Sequence, residues 1–250
     1  MVDIGPGRPL EGRRIVITRP PDRAGPLAER LASLGAVPIV FPTIRIEPAD
    51  PGPLVEAARA LDRFDWVVFT SASGVEAFFA RLADAGKEAR DVGRRKVAAI
   101  GPVTAAALRE RGVEPALVPT EYVAEAILAA LGDVRGLRFL LPRADIAREA
   151  LAEGLRARGA RVTEVTAYRT VGAAGGGAPD LSQADAVTFT SSSTVRHFVA
   201  AGARPARAKV VCIGPVTAAT ARALGLEVSA VATAYTEDGL IEALEGAFRT

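Results

Sequence analysis

Two hydroxyl-rich motifs recur in this chain, each followed by a Gly-Pro turn. Thr70-Ser71-Ala72-Ser73 returns as Thr190-Ser191-Ser192-Ser193, and Gly101-Pro102-Val103-Thr104 returns as Gly214-Pro215-Val216-Thr217. Hydroxyls and unpaired N–H groups at helix N-termini bind carboxylates and phosphates. A capping role worth about 1 kcal/mol would account for any single Ser or Thr, but recurrence in two copies weighs toward a ligand. Arg19 and Arg143 also occupy matching positions. A guanidinium there can clamp a carboxylate through two hydrogen bonds, and an ordinary salt bridge would suit it equally. Of the three tyrosines, Tyr122 and Tyr235 are related by the repeat, and Tyr168 stands apart as a phenol expected to face the ligand.

Most catalytic kits are missing. His197 and Cys212 are single, so the chain offers neither an ordinary zinc site nor a Ser-His triad. His197 reads as a helix residue within Thr194-Val195-Arg196-His197-Phe198. No Gly-x-Gly-x-x-Gly or Walker loop follows an apolar run, and Gly175-Gly176-Gly177 reads as a linker. The carboxylates sit mostly on helical faces beside arginines. The chemistry is expected to need no metal or nucleotide.

Composition sets further bounds. At 250 residues the chain makes one large domain or two smaller ones. Net charge is +2 with arginines scattered singly, which argues against a nucleic-acid partner. No charged-then-apolar leader opens the chain, and every apolar run falls short of the roughly 20 residues that span a bilayer. A lone cysteine in an apolar run suits a reducing cytoplasm.

The elements that must hold these motifs are legible in the hydrophobic pattern. Ile15–Thr18, Trp66–Thr70, Val97–Ile100, Phe139–Leu141, Val187–Thr190 and Val210–Ile213 are continuous apolar runs, as in strands covered on both faces. Helical patterns lie between them, at Leu27–Leu34, Val75–Leu82, Thr104–Arg111 and Glu149–Arg158. Alternating strands and helices imply doubly wound α/β domains with parallel sheets. Every repeated motif would then lie at the carboxyl edge of a sheet.

The repeat itself is dense. Residues 96–114 and 209–227 align without a gap and agree at twelve of nineteen positions, and Gly12–Gly35 resembles Gly136–Gly159. Each copy fills about half the chain, joined through Gly132–Gly136. Looser sequence lies inside the copies, at Pro48–Pro53 and Gly172–Pro179. Cutting there gives exchanged domains, 1–47 with 172–250 and 48–171, with crossovers through Val37–Ile46 and Val162–Val171 that can pair as a ladder. One repeat per domain is the simpler alternative. The two loose segments are also candidate hinges.

Taken in order, Ile17-Thr18-Arg19-Pro20, Phe69-Thr70-Ser71-Ala72-Ser73-Gly74-Val75, Ile100-Gly101-Pro102-Val103-Thr104, Ala167-Tyr168-Arg169-Thr170 and Ile213-Gly214-Pro215-Val216-Thr217 resemble the uroporphyrinogen-III synthase family over residues 12–246. The resemblance implies two flavodoxin-like domains joined by a two-stranded ladder, with the active site in the cleft between them. It implies a small-molecule substrate, the linear tetrapyrrole hydroxymethylbilane, which loses water and closes with ring D inverted, without a cofactor. Tyr168 matches the family tyrosine thought to help the hydroxyl leave. Thr217 follows as the next candidate, with Thr70, Ser71, Ser73, Gly101, Pro102, Thr104, Tyr122, Ser191, Ser192, Ser193, Gly214, Pro215 and Tyr235 as binding positions and Arg19 and Arg143 as clamps.

Two other readings compete on the residues alone. A binding protein can close the same cleft on a polycarboxylate and release it unchanged, and Ser/Thr loops also cradle sugar phosphates. Against the second, no carboxylate or histidine is placed as a base. Symmetry within one chain removes an obvious need for a dimer, so a monomer is expected.

Overall fold

A computed structural model describes residues 9–173 and 180–249. In chain order the elements begin β1 (Arg14–Ile17), α1 (Pro21–Ser33), β2 (Val37–Val40), β3 (Ile44–Pro48), α2 (Pro51–Arg59), β4 (Trp66–Phe69) and α3 (Ala72–Phe79). They continue with α4 (Ala89–Gly93), β5 (Lys96–Ala99), α5 (Pro102–Arg109), α6 (Ala124–Ala130), β6 (Arg138–Ala144), α7 (Ala150–Ala157) and β7 (Arg161–Gly172). The remainder is β8 (Ala186–Phe189), α8 (Ser192–Ala200), β9 (Lys209–Cys212), α9 (Pro215–Ala223), β10 (Val228–Val231) and α10 (Glu237–Arg249). No helix among the described residues is long and apolar enough to cross a membrane.

The strands form two five-stranded sheets, β10-β9-β8-β1-β2 and β3-β7-β6-β4-β5. Pairing is parallel throughout the first sheet and from β7 to β5 in the second. In its own chain order the first sheet reads 2-1-3-4-5, the flavodoxin-like order. The second repeats it as β7-β6-β4-β5, with a single bridge from Ala98 to Leu117 where a fifth strand would lie. Because both faces are covered, alternate residues of one strand enter different cores. Ile15 and Ile17 pack in one cluster and Val16 in another. Val67 and Phe69 likewise part from Val68. Continuous apolar runs are the signature of that arrangement.

The duplication is written into the hydrogen bonds. Gly12 donates its N–H to Gly35, and Gly136 to Gly159, both at 2.8 Å. All four glycines have positive φ, the region that excludes most side chains. The Arg14 N–H reaches the Asp185 carboxylate at 2.8 Å, as the Arg138 N–H reaches Asp65. Each sheet thus joins the first strand of one copy to later strands of the other.

The chain divides into two compact units, residues 1–45 with 171–250, and residues 46–170. The division falls inside β3 and β7, which are neighbours in the second sheet.

Three expectations are revised. Val37–Val40 is not crossover but a strand of the first sheet, paired with β1. Pro48–Pro53 is not loose: Pro48 ends β3, Asp50 caps α2, and Pro51 opens its first turn, where a missing N–H costs nothing. Gly172 ends β7, and the Ala173 N–H bonds the Thr43 carbonyl at 3.0 Å. Residues 174–179, including the three glycines, lie outside the described residues.

Candidate functional site

Ligands of doubly wound sheets bind beyond the strands' carboxyl ends, where the strand order reverses. In the first sheet that point lies between β1 and β8, whose exits are Thr18-Arg19-Pro20 and Thr190-Ser191. In the second it lies between β6 and β4, whose exits carry Arg143 and Thr70-Ser71. The residues singled out by the repeat therefore cluster at two equivalent edges.

Ser71 caps α3, its Oγ accepting the Gly74 N–H at 3.0 Å. Ser191 caps α8 in the same way, accepting the Thr194 N–H at 3.2 Å. Thr70, Thr190 and Ser193 are half-buried beside these caps, and Ser192 Oγ lies 2.7 Å from Thr220 Oγ1. Gly101 and Gly214 are N-caps, followed by Pro102 and Pro215 in the first helical turn. Ser73, Thr104 and Thr217 are buried within their helices, so their hydroxyls lie beneath the edge rather than on it. What the edge itself exposes is mainly cap hydroxyl and backbone N–H.

The two glycines are required by aromatic rings. A Cβ on Gly101 would stand 3.0 Å from Tyr122 Cγ, and one on Gly214 would stand 3.2 Å from Tyr235 Cδ1. Their φ values are −172° and −176°, extended backbone open to any residue, so the constraint is steric. Tyr122 and Tyr235 are half-buried lids on the Gly-Pro turns.

Tyr168 is placed by an irregularity. β6 and β7 run in register to Arg143 and Thr166, but Ala144 pairs with Tyr168, leaving Ala167 as an extra residue. Such bulges re-aim side chains, and Ala167 and Tyr168 are buried in succession where strict alternation would expose one. The phenol is buried. It is 8% exposed, and its hydroxyl donates to Ser71 Oγ at 2.9 Å.

Both arginines are already engaged. Arg19, with its side chain 15% exposed, pairs with Glu237 at the start of α10. Arg143, 12% exposed, pairs with Glu149 before α7 and with Glu164 on β7, 2.6 Å away. Arg156 holds the other oxygen of Glu164 at 2.5 Å. No local pattern marks Glu237, which is 218 residues from Arg19. Elsewhere, burial pushes the Cys212 thiol up to about 12, leaving it protonated and unreactive. His197 is half-buried in α8, against Gly172.

This arrangement matches known proteins along nearly its whole length. The model of the family described as uroporphyrinogen-III synthase HemD matches residues 25–242. A uroporphyrinogen-III synthase from Synechococcus elongatus is 36% identical over 95% of this chain and 96% of its own. A putative uroporphyrinogen-III synthase from Methanothermobacter thermautotrophicus is 37% identical over 81% of this chain and 86% of its own. The crystal structure of a mutant uroporphyrinogen III synthase from Thermus thermophilus superposes with a TM-score of 0.71, covering 95% of this chain and 99% of that one at 22% identity. With the family model spanning residues 25–242 and a relative 36% identical over 95% of the sequence, the chain belongs to the uroporphyrinogen-III synthase family.

Proposed function

We propose that this chain is a uroporphyrinogen-III synthase, closing hydroxymethylbilane to uroporphyrinogen III with loss of water and inversion of ring D. The observation that carries the reading is the Tyr168–Ser71 hydrogen bond, a proton donor set into a carboxylate-binding edge in a chain of this family. In this reading each edge offers a rim of helix N-termini to the acetate and propionate carboxylates of a linear tetrapyrrole.

The reaction makes modest demands on side-chain chemistry. The pyrrole nitrogen of ring A expels the hydroxyl as its lone pair moves into the ring, and the protein supplies a proton and holds the chain folded. Positioning is then the larger contribution. In this reading the enzyme is a lyase that needs no cofactor and works as a monomer in the cytoplasm.

A coupled assay with freshly generated hydroxymethylbilane, followed by oxidation and separation of type I and type III porphyrins, tests this. Type III product above the spontaneous type I is expected, and Tyr168→Phe should slow it by about 10²-fold or more. Folded protein that yields only type I, at the uncatalysed rate, would overturn the proposal.

A further inference from the structure

We infer that Ser71 hands the proton to the departing hydroxyl and that Tyr168 works behind it. The inference rests on the function proposed above and assigns its acid. Tyr168 is buried, and its hydroxyl proton is directed at Ser71 Oγ, 2.9 Å away. That oxygen also accepts the Gly74 N–H at 3.0 Å. A serine hydroxyl has two acceptor positions and one donor. With both acceptor positions filled, the Ser71 proton must point away from Tyr168 and from the helix. Ser71 is half-buried at the mouth of the edge, at the carboxyl end of β4, so that proton is the one a substrate meets.

The duplicate copy shows that the phenol is not a requirement of the cap. Ser191 caps α8 with the same geometry. The offset that pairs Arg19 with Arg143 pairs Tyr168 with Ile44, so the second cap has no phenol from the matching strand. The neighbouring position differs too. Thr194 stands where the first copy has Gly74, and its Oγ1 bonds the Ser191 carbonyl at 2.8 Å. A Cβ on Gly74 would come within 3.2 Å of Ser71 Oγ and 3.0 Å of the Pro142 carbonyl oxygen. The Ser71 edge carries the phenol-to-serine chain from its own strand β7, and the glycine keeps its cap uncrowded.

The proton count closes. The C–O bond of the ring A hydroxymethyl group breaks with its electron pair on oxygen, which takes the Ser71 proton and leaves as water. Ser71 takes the Tyr168 proton, leaving a phenolate, while the ring A nitrogen lone pair stabilises the cationic carbon. After ring D attacks and rearranges, its α-carbon sheds a proton. That proton returns through Ser71 to the phenolate, and no other acid or base is consumed. Ser71 is then the catalytic residue, and Tyr168 a positioning residue that acts through it.

Kinetics of type III formation by folded variants tests the chain. Ser71→Thr keeps cap and hydroxyl and should lose at least about tenfold less kcat than Ser71→Ala does. Ser71→Asn keeps a capping oxygen but no acidic hydroxyl, and like Ser71→Ala should lower kcat by about 10²-fold with KM little changed. Ser71→Ala combined with Tyr168→Phe should be no more than about threefold slower than the slower single variant, because groups acting as a unit are not additive. A Ser71→Asn enzyme near parental kcat, or losses that multiply in the double variant, would overturn the relay while the enzyme stands. Absence of type III product from the parent would instead remove the function, and the relay with it.

Discussion

At the scale of residues, the Gly-Pro turns show how a motif can be constrained by a neighbour rather than by its own backbone. Gly101 and Gly214 have extended φ, so nothing in their conformation excludes alanine. The rings of Tyr122 and Tyr235 do, through contacts of 3.0 and 3.2 Å with an added Cβ. Gly101→Ala should therefore destabilise the protein by about 1–3 kcal/mol, the usual range for overpacking, and Gly214→Ala by less. Urea unfolding measures both. Because the cost is steric, replacing Tyr122 with alanine in the Gly101→Ala protein should cancel most of it, as a double-mutant cycle would report. Gly101→Ala with parental stability, or a cost unchanged by Tyr122→Ala, would contradict the contact. The repeat made both tyrosines conspicuous but was silent on what they touch. The partner of Arg19 was equally hidden, since Glu237 lies 218 residues away and no motif joins them.

Elements were the most legible scale, and their errors are instructive. The apolar runs match their strands to within a residue, because burial on both faces leaves no polar alternation to misread, except that β6 continues three residues past Leu141 through Pro142-Arg143-Ala144. Pro48–Pro53 departs from the linker expected of it because proline and glycine signal both a loose linker and the first turn of a helix. Asp50 decides between them: its carboxylate accepts the Gly52 N–H at 3.0 Å. Asp50→Ala should cost about 1 kcal/mol in urea unfolding and Asp50→Asn much less, whereas a linker would tolerate both alike. The β6–β7 bulge was beyond reach for a different reason. One extra residue, Ala167, redirects Tyr168 toward Ser71, and register is a property of two strands together.

For the whole molecule the consequence of the exchange is an order of folding. The unit of residues 46–170 is continuous, and the other is made of residues 1–45 and 171–250. The equivalent ties differ accordingly. Arg138 and Asp65 are 73 residues apart, while Arg14 and Asp185 are 171 apart. Closing the longer loop costs only about 0.7 kcal/mol more, too little alone to separate the two events. The decisive point is that β3 and β7, at the two ends of the continuous unit, are neighbours in its sheet. Once that unit has formed, its ends are together, and the effective loop between β1 and β8 shrinks to roughly 45 residues. Folding in the other order gains less, because the chain between β2 and β8 would have to close as one long loop. Refolding with pulsed hydrogen exchange should show protection of Val67, Val97 and Leu140 before Ile15, Val187 and Val210. Simultaneous protection would mean that the units fold as one, and the reverse order would show that the discontinuous unit does not wait for its neighbour to bring its two pieces together.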